Sequence, residues 1–404
     1  VTLDTDERWD LVDRVVEETV TFGGYEPTIR DILGELTVKP LTGIPVAIAV
    51  LYAFWSIFGS FAGTLVTDGF MVKFFDTHFL PWIQGVWPNP GSFLYFLFVG
   101  DPMATTSLEA FGMLTSGLFV VFGVVLPAIV IFYLMLAILE DTGYLPRLAV
   151  LVDTFLHRIG LHGYAIIPTI LGLGCNVPAI IATRILETRK QRFIMMLLLA
   201  MFVPCSAQIA VMLSVVPETV LWVVLYLVIG YAAVGYLLSK LIPGGNPEIL
   251  IDVPTYHIPV LRDIARKMWM RTEHFIKEAV PFVLLGVFII NILYWAGVID
   301  MLANLLEPVF VTWFGVPKET VAPLIAAFLR KDLAVAQLSG IPMTPYQLVT
   351  SVVLITIYFP CLATFIVMLK EGWKDMLAAL VVLFCVVFLY GGLIHGIGIL
   401  LGVA

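Results

Sequence analysis

Apolar runs recur along the whole chain, at roughly 41–62, 113–139, 163–183, 192–216, 218–242, 275–297, 317–340, 345–369 and 375–402. Runs of about eighteen residues or more are long enough to cross the hydrocarbon of a bilayer as helices. Inside lipid every backbone amide and carbonyl must find its partner within the chain. The fold class expected is therefore all-α, a polytopic membrane protein surrounded by lipid. Composition agrees: 60% of the 404 residues are hydrophobic and only 13% are charged, where a soluble domain keeps about a quarter charged. The net charge of −8 points to no nucleic-acid partner.

Residues 1–40 are polar and read as a linker with an amphipathic helix at the membrane surface. No basic segment followed by an apolar one opens the chain, so no cleavable signal peptide is expected. Val1 in place of Met suggests a fragment of something longer. All four cysteines lie in apolar segments, which is not the pattern of a secreted disulfide framework.

Basic residues argue against nine full spans. They cluster in 147–158, 184–192, 240–277 and 370–374, and such clusters belong on the cytoplasmic side. If 163–183 crossed fully, the first two clusters would face opposite sides. If it dips in and returns, both are cytoplasmic. The same logic makes 317–340 a second re-entrant hairpin, entering from outside. Seven spans and two hairpins result, with Arg330 and Lys331 at the second tip as the exception. In "GLGCNVPAII", Gly172, Gly174 and Pro178 mark where the chain turns round. Non-helical backbone at that depth must line protein or a wet cavity.

The chain also repeats itself. Pro127 and Pro281, Gly143 and Gly297, and Leu151 and Leu305 are each 154 apart; Pro168 and Pro323 are 155 apart; "FVPCSA" at 202–207 and "YFPCLA" at 358–363 are 156 apart. One unit holds three full crossings, an odd number, so the second should be inverted relative to the first. Inverted repeats with broken helices are a transporter architecture. The boundaries expected are 1–40 (linker), 41–112 (first span and outer loop), 113–242 (first repeat), 243–272 (cytoplasmic linker) and 273–404 (second repeat and last span). Trp55, Trp82 and Trp87 read as an aromatic belt around the outer loop.

Each unit contributes a hairpin tip and a Pro-Cys kink. The candidate metal ligands are Cys175 and Asn176 at the first tip, Cys205 and Ser206 at the first kink, and Cys361 at the second. Thiols suit soft or borderline divalent ions and amide oxygens suit harder ones, so a mixed site fits Fe²⁺. Against this, cysteine is often buried for packing alone; Cys385, at no break, reads that way. Glu140 and Asp141 end a long apolar span. They are either interfacial caps of the next helix or ligands. The gating candidates are Gly174, Pro178, Pro204 and Pro360 at the breaks, with Arg330, Lys331 and Asp332 at the second tip; Asp332 either pairs with its basic neighbours or gates. His395 reads as hydrogen-bonded to a neighbouring helix. His157 and His162 are expected to face solvent, and Met195, Met196, Met201 and Met212 to pack on a lipid-facing helix.

The stretches "LEDTGYLPRLAVLVDTFLHRIGLHG", "GLGCNVPAIIATR", "PCSA" and "FPCLAT…EGWK" resemble the membrane domain of the ferrous iron transport protein B (FeoB) family, from about residue 8 to the end. The resemblance implies paired gate domains similar to those of concentrative nucleoside transporters, and uptake of Fe²⁺ across a prokaryotic inner (cytoplasmic) membrane with the N-terminus cytoplasmic. It carries a ligand role to Cys175, Asn176, Cys205, Ser206, Cys361, Glu140 and Asp141. Where family members read "PCSAR" this chain has Gln208. Family members also carry a GTPase domain, which would hold GTP and Mg²⁺. This chain has no GxxxxGK[ST], so it is not expected to be an enzyme itself. The implied partners are that GTPase, fused or separate, and a small soluble accessory protein; homo-oligomer formation is left open. The alternative functions are a nucleoside or other organic-solute transporter and, lower, a membrane thiol–disulfide enzyme. The latter lacks a C-x-x-C and nearby bases for its thiols.

Overall fold

A computed structural model describes residues 14–16, 18–19, 28–87, 92–107, 110, 112–244, 256–328 and 331–402. Most of the N-terminal linker, part of the 243–272 linker, and Leu329 and Arg330 at the second tip lie outside the described residues, and so does the gating expectation for Arg330. Among the described residues the chain is helical and without a strand.

The elements run α1 (Ile29–Val38), α2 (Pro40–Phe58), α3 (Leu126–Asp141), α4 (Tyr144–Arg158), α5 (Ile166–Gly174), α6 (Asn176–Ala182), α7 (Arg189–Phe202), α8 (Ser206–Val215) and α9 (Val220–Leu241). They continue with α10 (Leu261–Trp295), α11 (Val298–Phe314), α12 (Val321–Ala326), α13 (Lys331–Gln337), α14 (Pro345–Tyr358), α15 (Leu362–Glu371) and α16 (Trp373–Leu401). Six helical stretches among the described residues are long and apolar enough to cross a membrane: Pro40–Val86, Met113–Asp141, Arg189–Val215, Val220–Leu241, Pro345–Glu371 and Trp373–Leu400. The chain is a multi-pass membrane protein. The remaining expected span, 275–297, lies almost wholly in the 35-residue α10, which ends at Trp295 and whose apolar stretch Leu284–Leu293 is shorter. A helix of that length is about 50 Å long. It can cross and still carry Arg262, Arg266, Lys267 and Arg271 beyond the apolar layer.

The element order α3–α8 returns as α10–α15, and local details return with it. Gly143 and Gly297 begin α4 and α11 with left-handed backbones (φ 80° and 68°). Gly160 and Gly315 follow those helices, again left-handed (φ 79° and 67°). Each presses on a helix so closely that a Cβ would clash: Gly160 on Ser239 of α9, Gly315 on His395 of α16. At the start of α7 and α14, Thr188 and Thr344 accept hydrogen bonds from the Gln191 and Gln347 amides, each at 3.2 Å. A Thr hydroxyl satisfies one of the four amides a helix start leaves free.

α7 and α14 form the centre. Two thirds (67%) of the best span window in Arg189–Val215 is buried and 56% of that in Pro345–Glu371, against 28% for α9 and for α16, which face outward. From Ile194 to Phe202 and from Val349 to Ile357 every residue is buried.

Segment 163–183 is not one rod. α5 and α6 are separated by extended backbone at Cys175 (φ −154°, ψ 133°) and pack on each other. Both flanks return to the C-terminal end of α9: Gly160 lies on Ser239, and Lys190 Nζ donates to Gly244 O at 3.1 Å. The second segment behaves alike at α16, where Gly315 lies on His395 and the Tyr346 hydroxyl donates to Ile394 O. α9 and α16 run in opposite directions. Arg189 beside Lys190 pairs with Asp375 in the first turn of α16 (2.7 Å), whereas Tyr390 far along α16 donates to Tyr226 O early in α9 (2.5 Å).

Candidate functional site

All three cysteines at breaks are the residues from which a helix starts: Cys175 for α6, Cys205 for α8 and Cys361 for α15. Helix starts present unpaired amides and a partial positive charge, which favours electron-rich groups. The neighbouring ends of α7 and α14, at Phe202 and Tyr358, present carbonyls instead. The breaks therefore gather helix ends of both polarities in the middle of the molecule.

Side chains tie the breaks together. Ser206 Oγ donates to Gly174 O at 2.9 Å, linking the first kink to the first tip. Asn176 Nδ2 donates to Val203 O at 3.1 Å. In the second unit the Leu362 amide donates to Phe328 O at 2.8 Å. Across the units, Gln208 Nε2 donates to Thr356 Oγ1 at 2.7 Å. Lys331 Nζ donates to Ala200 O at 3.1 Å and to Thr356 O at 2.5 Å. Cys175 is within electrostatic reach of Cys205 and Cys361, and Cys205 of Cys361, Lys331 and Asp332. Cys361 Sγ lies 3.1 Å from Thr364 Oγ1. Two buried amide oxygens, Asn176 Oδ1 and Gln208 Oε1, have no hydrogen-bond partner. A buried acceptor without a donor costs about 1–3 kcal/mol. Both oxygens are acceptors left open at the centre of the molecule. Among the described residues, however, no three Cys, His, Asp or Glu side chains form a group able to hold a metal ion.

The glycines of the first tip act differently from the expectation. Gly172 and Gly174 lie inside α5, and the turn itself is made at Cys175. They are needed for close packing. A Cβ on Gly174 would come within 2.6 Å of the Phe132 ring, and one on Gly172 within 2.8 Å of Leu199 and 3.1 Å of Asn176 Oδ1. Pro178 sits in the first turn of α6, where its missing amide costs nothing.

Glu140 and Asp141 are ion-paired. Arg271 holds Glu140 at 2.8 Å, and Lys267 holds Glu140 at 3.1 Å and also Asp141. The hydrogen bond to Asp141, partly opposed by burial, keeps the Lys267 ammonium above its ordinary pKa. The four groups clamp the end of α3 to α10. Tyr133, two turns back on α3, lies within electrostatic reach of both Arg271 and Cys175.

Three smaller expectations change. His162 is buried, because the turn after α4 folds it back so that Nδ1 accepts the Tyr164 amide at 3.2 Å. Burial lowers its pKa, against the raising effect of Asp153 and Glu187. Met195, Met196 and Met201 of α7 and Met212 of α8 are core residues rather than lipid-facing ones. Cys385 is exposed on α16, so it packs no core. Lys331, a gating candidate at the second tip, is 6% exposed. His395 bonds to a neighbouring helix as read, its Nδ1 3.0 Å from Trp313 O. The sequence reading missed Ala200, Val203 and Thr356, which act through carbonyls. The signal for two of them was present, since Ala200 and Thr356 stand four residues before Pro204 and Pro360.

The fold and its paired breaks define a duplicated, helical, multi-pass membrane protein. A family model described as "Gate: Nucleoside recognition" matches it twice, over residues 122–218 and 276–373, and one described as "Ferrous iron transport protein B C terminus" matches residues 220–271. A protein of Staphylococcus aureus (strain MSSA476) named "Fe(2+) transporter FeoB" is 29% identical over 320 residues, covering 69% of this chain and 47% of that protein. One of the same name from Methanocaldococcus jannaschii is 25% identical over 429 residues, covering 93% and 59%. A Porphyromonas gingivalis protein named "Fe(2+) transport protein A/Fe(2+) transporter FeoB fusion protein" is 33% identical over 176 residues, covering 41% and 21%. No solved structure matches the chain. The chain belongs to the FeoB family, as a membrane domain of it, and spans about half the length of the first two of these relatives.

Proposed function

We propose that this chain is the ion-conducting part of a ferrous iron permease, with Fe²⁺ as its transported substrate. The observation that carries the reading is the central meeting of breaks, where three thiols and two unpartnered amide oxygens lie between units bonded to each other. Cys175, Cys205 and Cys361 supply sulfur; Asn176 Oδ1 and Ser206 Oγ supply oxygen. That mixture suits a borderline ion held loosely enough to leave again. The names of the FeoB relatives support iron as the ion.

In this reading 163–183 and 317–340 are re-entrant hairpins, and the two units are inverted across the inner membrane with the N-terminus cytoplasmic. The return of each segment to one helix end supports the first statement, and the opposite courses of α9 and α16 support the second. Rocking of one unit against the other gives alternating access and draws the ligands together, with Gly174, Pro178, Pro204, Pro360, Lys331 and Asp332 at the moving joints. The clamp of Glu140 and Asp141 on Lys267 and Arg271 guards the cytoplasmic mouth. A GTPase domain drives or times the motion, and a small accessory protein is a further partner; the fused relative supports the latter.

The test is ferrous iron accumulation by cells or proteoliposomes carrying the protein with its GTPase. Cys175→Ser and Cys205→Ser should each lower uptake by about tenfold or more, as loss of a ligand does. Wild-type rates in both variants would remove the ligand assignment. The wording of the gate family supports a second reading, an organic solute such as a nucleoside bound by Asn176, Ser206 and Gln208. Nucleoside competition with iron-independent uptake would favour it.

A further inference from the structure

Among the described residues, Lys331 brings a positive charge to the centre that a cation path should not want, and its partners explain it. A proline in or after a helix cannot bond the carbonyl four residues earlier. Pro204 leaves Ala200 O free in this way, and Pro360 leaves Thr356 O free. These two carbonyls are equivalent in the repeat, 156 residues apart, and both belong to the last turn of a helix, α7 and α14. Helix C-termini carry partial negative charge, so two of them make a place for a cation. The Lys331 ammonium holds both carbonyls at once, at 3.1 and 2.5 Å. Gln208 braces the same residue by donating to Thr356 Oγ1, and its own Oε1 is buried without a partner.

The equivalent position in the first unit is Asn176, 155 residues earlier, which reaches only Val203 O of its own unit. The longer lysine crosses to the other unit and sits where the two halves meet.

We propose that Ala200 O and Thr356 O form an oxygen-lined cation site at the junction of the repeats, and that Lys331 fills it as a tethered stand-in. The site lies beside the thiols, and an entering divalent ion displaces the ammonium to occupy it. The inference deepens the permease reading and rests on it for the identity of the ion as iron, but not for the existence of the site.

The experiment is equilibrium binding of Ca²⁺, Mn²⁺ and Cd²⁺ to the purified full chain in detergent, parent against Lys331→Met. Ca²⁺ and Mn²⁺ seek oxygen, whereas Cd²⁺ seeks sulfur. A site filled by its own ammonium nine-tenths of the time loses about tenfold in apparent affinity. K331M should therefore bind Mn²⁺ or Ca²⁺ about tenfold or more tightly than the parent. Unchanged or weaker binding of both overturns the proposal. So does a gain confined to Cd²⁺, which would place the effect at the thiols. If K331M is not monodisperse, Lys331→Gln keeps a donor for the carbonyls without the charge, and a gain of several-fold is then expected; its absence likewise overturns the proposal. Ferrous iron uptake by the parent is scored separately. Uptake without a K331M gain sinks the stand-in alone, and a gain without uptake sinks the iron reading alone.

Discussion

The two tips answer one structural problem with different chemistry. In the first unit the residue after the break is Asn176, a neutral amide that bonds a carbonyl of its own unit and leaves one oxygen open. In the second it is Lys331, a charge that bridges both units and leaves no carbonyl of the pair open. One tip carries an open neutral acceptor and the other a cation. Duplication supplied the frame, and the side chains at the breaks made its halves unequal.

The comparison breaks most severely with Asn176→Lys, which copies the second tip onto the first. The free carbonyl pair already has its ammonium, so the new one is buried without compensation, at about 3–5 kcal/mol. Thermal melting in detergent should show a large loss of folded protein; a melting temperature within a degree or two of the parent would mean that the first tip tolerates charge. Gly174→Val comes next. Its Cβ would stand 2.6 Å from the Phe132 ring, and overpacking of that kind costs about 1–3 kcal/mol. Phe132→Leu in the same chain should recover part of the melting temperature, and failure to do so would show that Gly174 is needed for its backbone instead. Asn176→Ala is the mildest. It removes one hydrogen bond to Val203 O and also an unpartnered oxygen, two effects of opposite sign that leave a change of about 1 kcal/mol. Iron uptake should fall much further than stability does, since the open oxygen is lost; parallel losses would make Asn176 a structural residue only.

Much of the frame was legible because membrane helices announce themselves by length and apolarity, and because aligned prolines and glycines survive in a chain otherwise rich in interchangeable Leu, Val and Ile. Gly143 and Gly297 are such marks, and both take the left-handed backbone that only glycine adopts cheaply. The breaks were legible from Cys175 and Pro204. The partners were marked only indirectly, Ala200 and Thr356 by the prolines four residues on and Val203 not at all, because each acts through the peptide group every residue shares. Nor could pattern tell that Glu140 and Asp141 meet Lys267 and Arg271, which lie about 130 positions away. The methionines misled for a related reason: a helix apolar on every side can face lipid or protein, and only packing decides.

The face where Arg184 meets Glu371 and Arg189 meets Asp375 joins the units by ion pairs. Near the opposite end of α16, the described contacts are neutral: Trp313 stacks on Phe388, and Tyr346 and His395 bond carbonyls. Dissolved ions screen exposed charges over about 8 Å at physiological strength and leave neutral contacts largely alone. Brine should thus loosen the seam between the units at one end of α16 and leave the other end as tight as before.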